Sequence, residues 1–153
     1  MLIIGPNNSE LVIETIVLDL NGTLAVYGNV SIETKSRILK LKSMGYRIVL
    51  ISGDIRGNAA MVAKDLNIEL FLGADSQEKA KQMQQFDKEK TAAIGNARID
   101  IGTFDNAAIS IATLQAEGIH SGIINHVDII VPSINDALHL FIDVKSLEAS
   151  LRI

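Results

Sequence analysis

Thr15-Ile16-Val17-Leu18-Asp19-Leu20-Asn21-Gly22-Thr23 is an apolar run of strand formers that meets a carboxylate and then the turn pair Asn21-Gly22. A strand with one wet face alternates apolar and polar residues; this one does not, so it reads as buried on both faces. Burial on both faces requires helices above and below the sheet, which is the arrangement of parallel α/β proteins. Three more stretches have the same character. Arg47-Ile48-Val49-Leu50-Ile51 ends at Ser52-Gly53-Asp54. Glu69-Leu70-Phe71-Leu72 is closed by Gly73, and Lys90-Thr91-Ala92-Ala93-Ile94 ends at Gly95-Asn96.

Helical patterns fill the intervals. Ser31 or Thr34 can cap a helix with Ile38, Leu39, Leu41 and Met44 on its apolar face, and Gly45 stops it. Asn58 can cap a helix running to Leu66, with Ala59, Val62, Ala63 and Leu66 on one side. Ser76 to Phe86 reads as a polar helix carrying Lys79 and Lys81, and Asn106 to Leu114 as another helix. Gly122-Ile123-Ile124 and Asp128-Ile129-Ile130-Val131 read as short strands. Ser133 can cap a helix through Phe141, with more helix from Lys145. At the start, Leu2-Ile3-Ile4 and Leu11-Val12-Ile13 flank the turn Gly5-Pro6-Asn7-Asn8 and form a small hairpin. Ala25 to Ile32 is a second hairpin or flap around Gly28-Asn29. Met44, Met61 and Met83 read as core or gap-filling residues. The alternation predicts a single α/β domain over 1–153: a Rossmann-like parallel sheet with helices on both faces and a small N-terminal hairpin.

Composition narrows the function. The chain has 153 residues, no cysteine and a net charge of −4. Disulfides, thiolate metal sites and a cysteine nucleophile are therefore excluded. The acidic balance argues against a nucleic-acid partner. No apolar run reaches the ~18–20 residues of a membrane span, and Met1 to Ile4 has no basic flank of a signal peptide. A cytoplasmic protein with no membrane partner is the expectation.

In a sheet of this kind the ligand site lies beyond the carboxyl ends of the strands. Asp19, Ser52 and Asn96 each fall at or near such an end, and Lys79 lies on the connection between two strands. Asp19 at a strand tip can act as a nucleophile toward phosphorus or ligate Mg²⁺. Ser52 can offer a hydroxyl to a phosphate oxygen, and Lys79 a positive charge. Phosphoryl transfer is largely positioning and charge neutralisation, so these residue types suit it. Asp100 and Asp105 read as loop residues, and His120, His126 and His139 lack metal-ligand spacing. A dinucleotide-binding fold has no support, since no Gly-x-Gly-x-x-Gly follows a strand. A receiver domain would need further acids after its first strand, and Leu2-Ile3-Ile4-Gly5 supplies none.

Four segments in this order resemble the motifs of the haloacid dehalogenase superfamily: Ile16 to Thr23, Ile48 to Asp54, Lys79 in Gln77-Glu78-Lys79, and Ala93 to Asp100. The chain looks closest to the stand-alone soluble P-type ATPase proteins, which resemble the phosphorylation domain of the pumps. The resemblance implies that Asp19 is the phosphoryl acceptor and a Mg²⁺ ligand, with the Asn21 carbonyl, Asn96 and Asp100 at the metal. Thr23, Ser52 and Gly53 would contact phosphate, and Lys79 would neutralise charge. Little more than a helix and a flap separate Asp19 from Ser52, so the protein is expected to be capless. It would take a small or macromolecular phosphorylated substrate, or borrow a neighbouring subunit of a homo-oligomer as a lid. Two departures stand out. Asn21 replaces the aspartate that serves as acid and base in the hydrolases, and Asn96 replaces an acidic metal ligand. The expected function is a Mg²⁺-dependent phosphohydrolase or phosphotransfer protein working through an aspartyl phosphate; the alternative is a weakened, phosphate-responsive binding or regulatory protein.

Overall fold

The computed structural model describes residues 1–152. β1 (Leu2–Ile4) and β2 (Glu10–Val12) pair antiparallel as a separate two-stranded sheet. β3 (Thr15–Leu18) lies inside the main sheet, parallel to β4 (Arg47–Ser52) on one side and β6 (Thr91–Gly95) on the other. With β5 (Glu69–Leu72), β7 (Ile109–Thr113) and β8 (Ile129–Val131), the order across the six-stranded parallel sheet is β5-β4-β3-β6-β7-β8. The chain winds outward from β3 in one direction, then returns to β6 and winds in the other. The crevice between β3 and β6 is thus the topological switch point, where such sheets bind ligands. Asp19 follows β3 and Asn96 follows β6, so both stand at its mouth.

Both faces of the sheet are covered, as the unbroken apolar run of β3 requires. Ile16, Leu18, Ile48, Leu50, Ala92, Ile94, Ile109 and Ile111 pack on one face. They meet α1 (Ile32–Ser43), α2 (Ala59–Leu66), α5 (Ile134–Ile142) and α6 (Val144–Leu151). The intervening residues Val17, Val49, Ile51, Ala93 and Ala112 turn to the other face. There they meet Met83 of α3 (Ser76–Met83) and Phe104 of α4 (Ile101–Phe104). Each Val, Leu or Ile side chain among them contributes roughly 1.5–3 kcal/mol over its exposed state.

Several local expectations are corrected. Residues 106–114 do not form a helix. Ile109 to Thr113 is strand β7, paired with β6 and β8 and buried at all five positions. A helix there would have buried one stripe, whereas these alternating side chains are needed on both faces. Residues 122–124 are not a strand but part of a 3₁₀ helix, Ser121–His126, started by the Gly122 N–H donating to His120 Nδ1 at 3.0 Å. The polar helix ends at Met83, short of Phe86. Leu39 and Met61 point outward. Ser31 caps α1 as expected, accepting from the Thr34 N–H at 3.1 Å. Asn58 makes no such bond for α2; the Asp54 carboxylate takes its place, accepting from the Ala59 N–H at 2.8 Å.

Candidate active site

Asp19 is held by its backbone before its side chain matters. Its N–H donates to Ile94 of β6 at 3.0 Å, and its carbonyl accepts from Leu24 at 3.2 Å. The chain then closes a tight loop in which Gly22 has φ +78°. A Cβ at Gly22 would sit 2.2 Å from the Asn96 side-chain nitrogen, so both the backbone angle and the contact demand glycine.

Lys79 reaches this loop from α3. It is wholly buried, and its Nζ donates to Asp19 Oδ1 and to Asp100 Oδ1, both at 2.7 Å. Two glycines make room for the row. A Cβ on Gly73 would press on Lys79, and one on Gly95 would lie 2.5 Å from Asp100 Oδ2. Asp75 caps α3 through the Glu78 N–H at 2.8 Å, which fixes the turn that carries Lys79. The row holds two carboxylates and one ammonium in a dry setting. Burial and the Asp100 charge push the Asp19 carboxyl up to about 7, against the pull of Lys79. Burial works to lower the Lys79 ammonium, but the two carboxylates outweigh it and hold it above its ordinary value.

The remaining expected residues gather around the row. Ser52, at the end of β4, is buried; its Oγ accepts from the Asp54 N–H at 3.0 Å, so its own hydrogen remains to be given. Gly53 lies against Ala74, where a Cβ would stand a tight 3.2 Å from the Ala74 Cα. Thr23 is fully buried and donates to Asn96 Oδ1 at 3.1 Å, with Asp19 Oδ2 at 3.5 Å. Asp100 differs in posture from a residue at a metal edge. Its Oδ1 holds Lys79, and its Oδ2 accepts from the Asn96 and Ala97 N–H groups, both at 2.9 Å. It thereby anchors both the lysine and the loop after β6.

The oxygen set suits a hard divalent cation. Asp19 Oδ2 has no closer partner than the Thr23 hydroxyl, and Asn21 Oδ1 is buried with no hydrogen-bond partner. Among the described residues, however, no three His, Cys, Asp or Glu side chains cluster to hold a metal ion. One carboxylate oxygen, Asp19 Oδ2, and neutral oxygens are what the site offers.

Sequence reasoning missed a strap across the site. The loop after β7 folds back over the loop after β3. Gln115 donates to the carbonyls of Gly22 (3.1 Å) and Thr23 (2.5 Å) and accepts from the Ile134 N–H at 2.8 Å. Asn96 donates to the Gly118 carbonyl at 3.0 Å. Glu117 accepts from the Tyr27 N–H at 2.7 Å and pairs with Arg56 of the loop after β4. Nothing local marks these residues, because their partners lie some twenty to ninety residues away in the chain.

No family model matches the chain. Over 98 residues, 61% of its length, it is 30% identical to the copper-exporting P-type ATPase B of Archaeoglobus fulgidus, of which that stretch is 14%. Among solved structures it is similar to the cobalt-bound deoxy-D-mannose-octulosonate 8-phosphate phosphatase of Haemophilus influenzae. That likeness has a TM-score of 0.72 at 18% identity, covering 90% of this chain and 91% of that one. The equivalent phosphatase of Moraxella catarrhalis, solved with magnesium, phosphate and its sugar, has a TM-score of 0.72 at 14% identity and covers 90% of each chain. No helix of the described residues is long and apolar enough to cross a membrane.

Proposed function

We propose that this chain, which has the haloacid dehalogenase fold, is a magnesium-dependent phosphohydrolase that works through an aspartyl phosphate at Asp19. The observation that carries the reading is the buried Lys79 bonded at once to Asp19 and Asp100, at the switch point of the sheet. A buried lysine with two carboxylates is a poor way to gain stability. It is a good way to hold a nucleophile in place and offset the charge of a phosphoryl group.

Magnesium, when bound, would supply positive charge beside the transferring phosphoryl group, and the Asp19 carboxylate with the oxygens of Asn21 and Asn96 would hold it. Lys79 fixes Asp19 Oδ1, which leaves Oδ2 with lone pairs to give. Oδ2 attacks phosphorus, the P–O bond to the alcohol breaks, and the alcohol leaves with a proton from solvent. Ser52 donates its hydroxyl to a phosphoryl oxygen, and the Gly53 backbone and Thr23 help seat the group. Water then hydrolyses the aspartyl phosphate and restores Asp19. Asn21 cannot pass a proton in either step, and the loss of a placed acid and base typically costs ~10²–10⁴-fold in rate. The chain is therefore a slow hydrolase with a long-lived phosphoenzyme. The cytoplasmic setting expected from the sequence belongs to the same proposal.

A second reading is a phosphate-responsive binding protein. The engagement of the Asn96 amide by Thr23 and the Gly118 carbonyl favours it, because that amide is committed to the strap. Release of p-nitrophenol from p-nitrophenyl phosphate separates the two. Release that needs both Mg²⁺ and Asp19, and is lost in Asp19→Asn, supports the hydrolase. No release above that variant supports the binding protein.

A further inference from the structure

Thr23 sits between two peptide planes, and each plane is held at both ends. In the first, the Thr23 N–H donates to the Leu20 carbonyl at 3.2 Å, and the Gly22 carbonyl accepts from the Gln115 side chain at 3.1 Å. In the second, the Leu24 N–H donates to the Asp19 carbonyl at 3.2 Å, and the Thr23 carbonyl accepts from the same Gln115 nitrogen at 2.5 Å. One amide group thus closes both planes. Among the described residues no other group donates to the Thr23 carbonyl, and the Gly22 carbonyl has besides only the Thr113 hydroxyl at 3.4 Å. Gly22 and Thr23 are buried, so water is a poor substitute for that amide. The Gln115 amide is itself aligned. Its oxygen accepts from the Ile134 N–H at the start of α5, so turning it over would set that oxygen against two carbonyls. Its backbone is fixed too, since the adjacent Leu114 N–H extends the sheet ladder to the Val131 carbonyl at 2.9 Å.

Fixing the peptide planes on both sides of an α-carbon fixes its φ and ψ, and with them the direction in which the side chain leaves. We propose that Gln115 is a positioning residue for the chemistry at Asp19: it orients Thr23, whose hydroxyl lies 3.1 Å from Asn96 Oδ1 and 3.5 Å from Asp19 Oδ2. This role rests on the phosphohydrolase reading and goes beyond it. That reading gives Thr23 a part in seating the phosphoryl group. Gln115 makes no hydrogen bond to Asp19 and acts through Thr23. A misplacement of about 1 Å that starts away from the reacting atoms can cost ~10²-fold in rate, so a tie of this kind has kinetic consequences.

The test compares Gln115→Met and Gln115→Glu with the wild type. Methionine removes all three bonds. Glutamate keeps the length and can still accept from the Ile134 N–H, but when ionised it has nothing to donate to the two carbonyls. Loss of the amide donor is what the two variants share. In both, the amides of Thr23 and Leu24 should lose about tenfold or more of their protection from hydrogen exchange, while the Ile134 amide keeps its protection in Gln115→Glu. With Mg²⁺ present, kcat/KM for p-nitrophenyl phosphate should fall about tenfold in both, the scale of one hydrogen bond to a charged group. Because Gln115 acts through Thr23, Thr23→Val should fall at least as far, and Thr23→Val combined with Gln115→Met no further. A role confined to anchoring α5 would spare Gln115→Glu and make the losses add. Unchanged exchange at Thr23 and Leu24, a fully active Gln115→Glu, or additive losses in the double variant would each overturn the inference. A wild type that releases no p-nitrophenol would overturn the phosphohydrolase reading and this inference together, whereas an active wild type with additive losses overturns this inference alone.

Discussion

Lys79 has no exposure and two carboxylates within 2.7 Å, so removing its charge leaves Asp19 and Asp100 facing each other in a dry site. Breaking a buried pair in this way costs about 3–5 kcal/mol. Lys79→Met should therefore lower the urea midpoint strongly, and adding Asp100→Asn should recover part of the loss; no recovery would mean that the lysine is not held by charge. Asn21 makes the opposite case, a residue whose replacement should help. If the missing acid and base limits turnover, Asn21→Asp should raise the hydrolysis of p-nitrophenyl phosphate by tenfold or more, out of the ~10²–10⁴ that such a group supplies. An unchanged rate would place the limit elsewhere. The Asp19 carboxyl, pushed up to about 7, sets a pH dependence. It is protonated below that value and ionised above it, and only the ionised form can attack or bind a cation. Mg²⁺ should thus bind more tightly at pH 8 than at pH 6, and should release roughly three quarters of a proton near pH 6.5. Calorimetry in two buffers of different ionisation enthalpy reads this directly, and binding without proton release would contradict it.

The elements differ in how much of themselves they announce. β3, β4 and β6 were legible because their apolar runs have no polar alternation and end in turn residues, and α1 because Ser31 stands where a cap belongs. β7 was not. Its Ala112 and the preceding Asn106-Ala107-Ala108 suit a helix locally, and only pairing with β6 and β8 makes Ile109 to Thr113 a strand. The order of Asp19, Ser52, Lys79 and Asn96 was readable, since each stands at a strand end or on the crossover between strands. The strap was not, since Gln115, Glu117 and Arg56 acquire meaning only when distant loops meet. The cap of α2 shows the same limit on a small scale: Asn58 occupies the capping position, but Asp54 makes the bond. Asp54→Ala should destabilise the protein by about 1 kcal/mol, the usual worth of a cap, and Asn58→Ala by much less. Equal losses in denaturant titrations would reverse the assignment.

Across the whole molecule, the site depends on how closely the layers pack. α3 and α4 share one face of the sheet and touch through Gly102, where a Cβ would sit 1.9 Å from the Ser76 carbonyl oxygen and 2.9 Å from the Ala80 nitrogen. Both contacts are backbone, so neither can swing aside. Gly102→Ala should push α3 away, and α3 carries Lys79 into the site. The variant should lose about 1–3 kcal/mol from overpacking and should also lose phosphate affinity, though residue 102 touches no ligand. A stability loss with phosphate binding intact would show that Lys79 does not depend on this contact. The two-faced burial of β3 thus serves more than the core: it lets one face carry Lys79 while the switch point carries Asp19.

The most direct measurement is to incubate the protein with Mg²⁺ and p-nitrophenyl phosphate, quench in acid, and map the phosphoryl group by mass spectrometry. The account predicts a single phosphorylated site at Asp19, accumulating because Asn21 slows its hydrolysis, and absent from Asp19→Asn. p-Nitrophenol released with no phosphoryl group on Asp19, or a phosphoryl group on another residue, would contradict it.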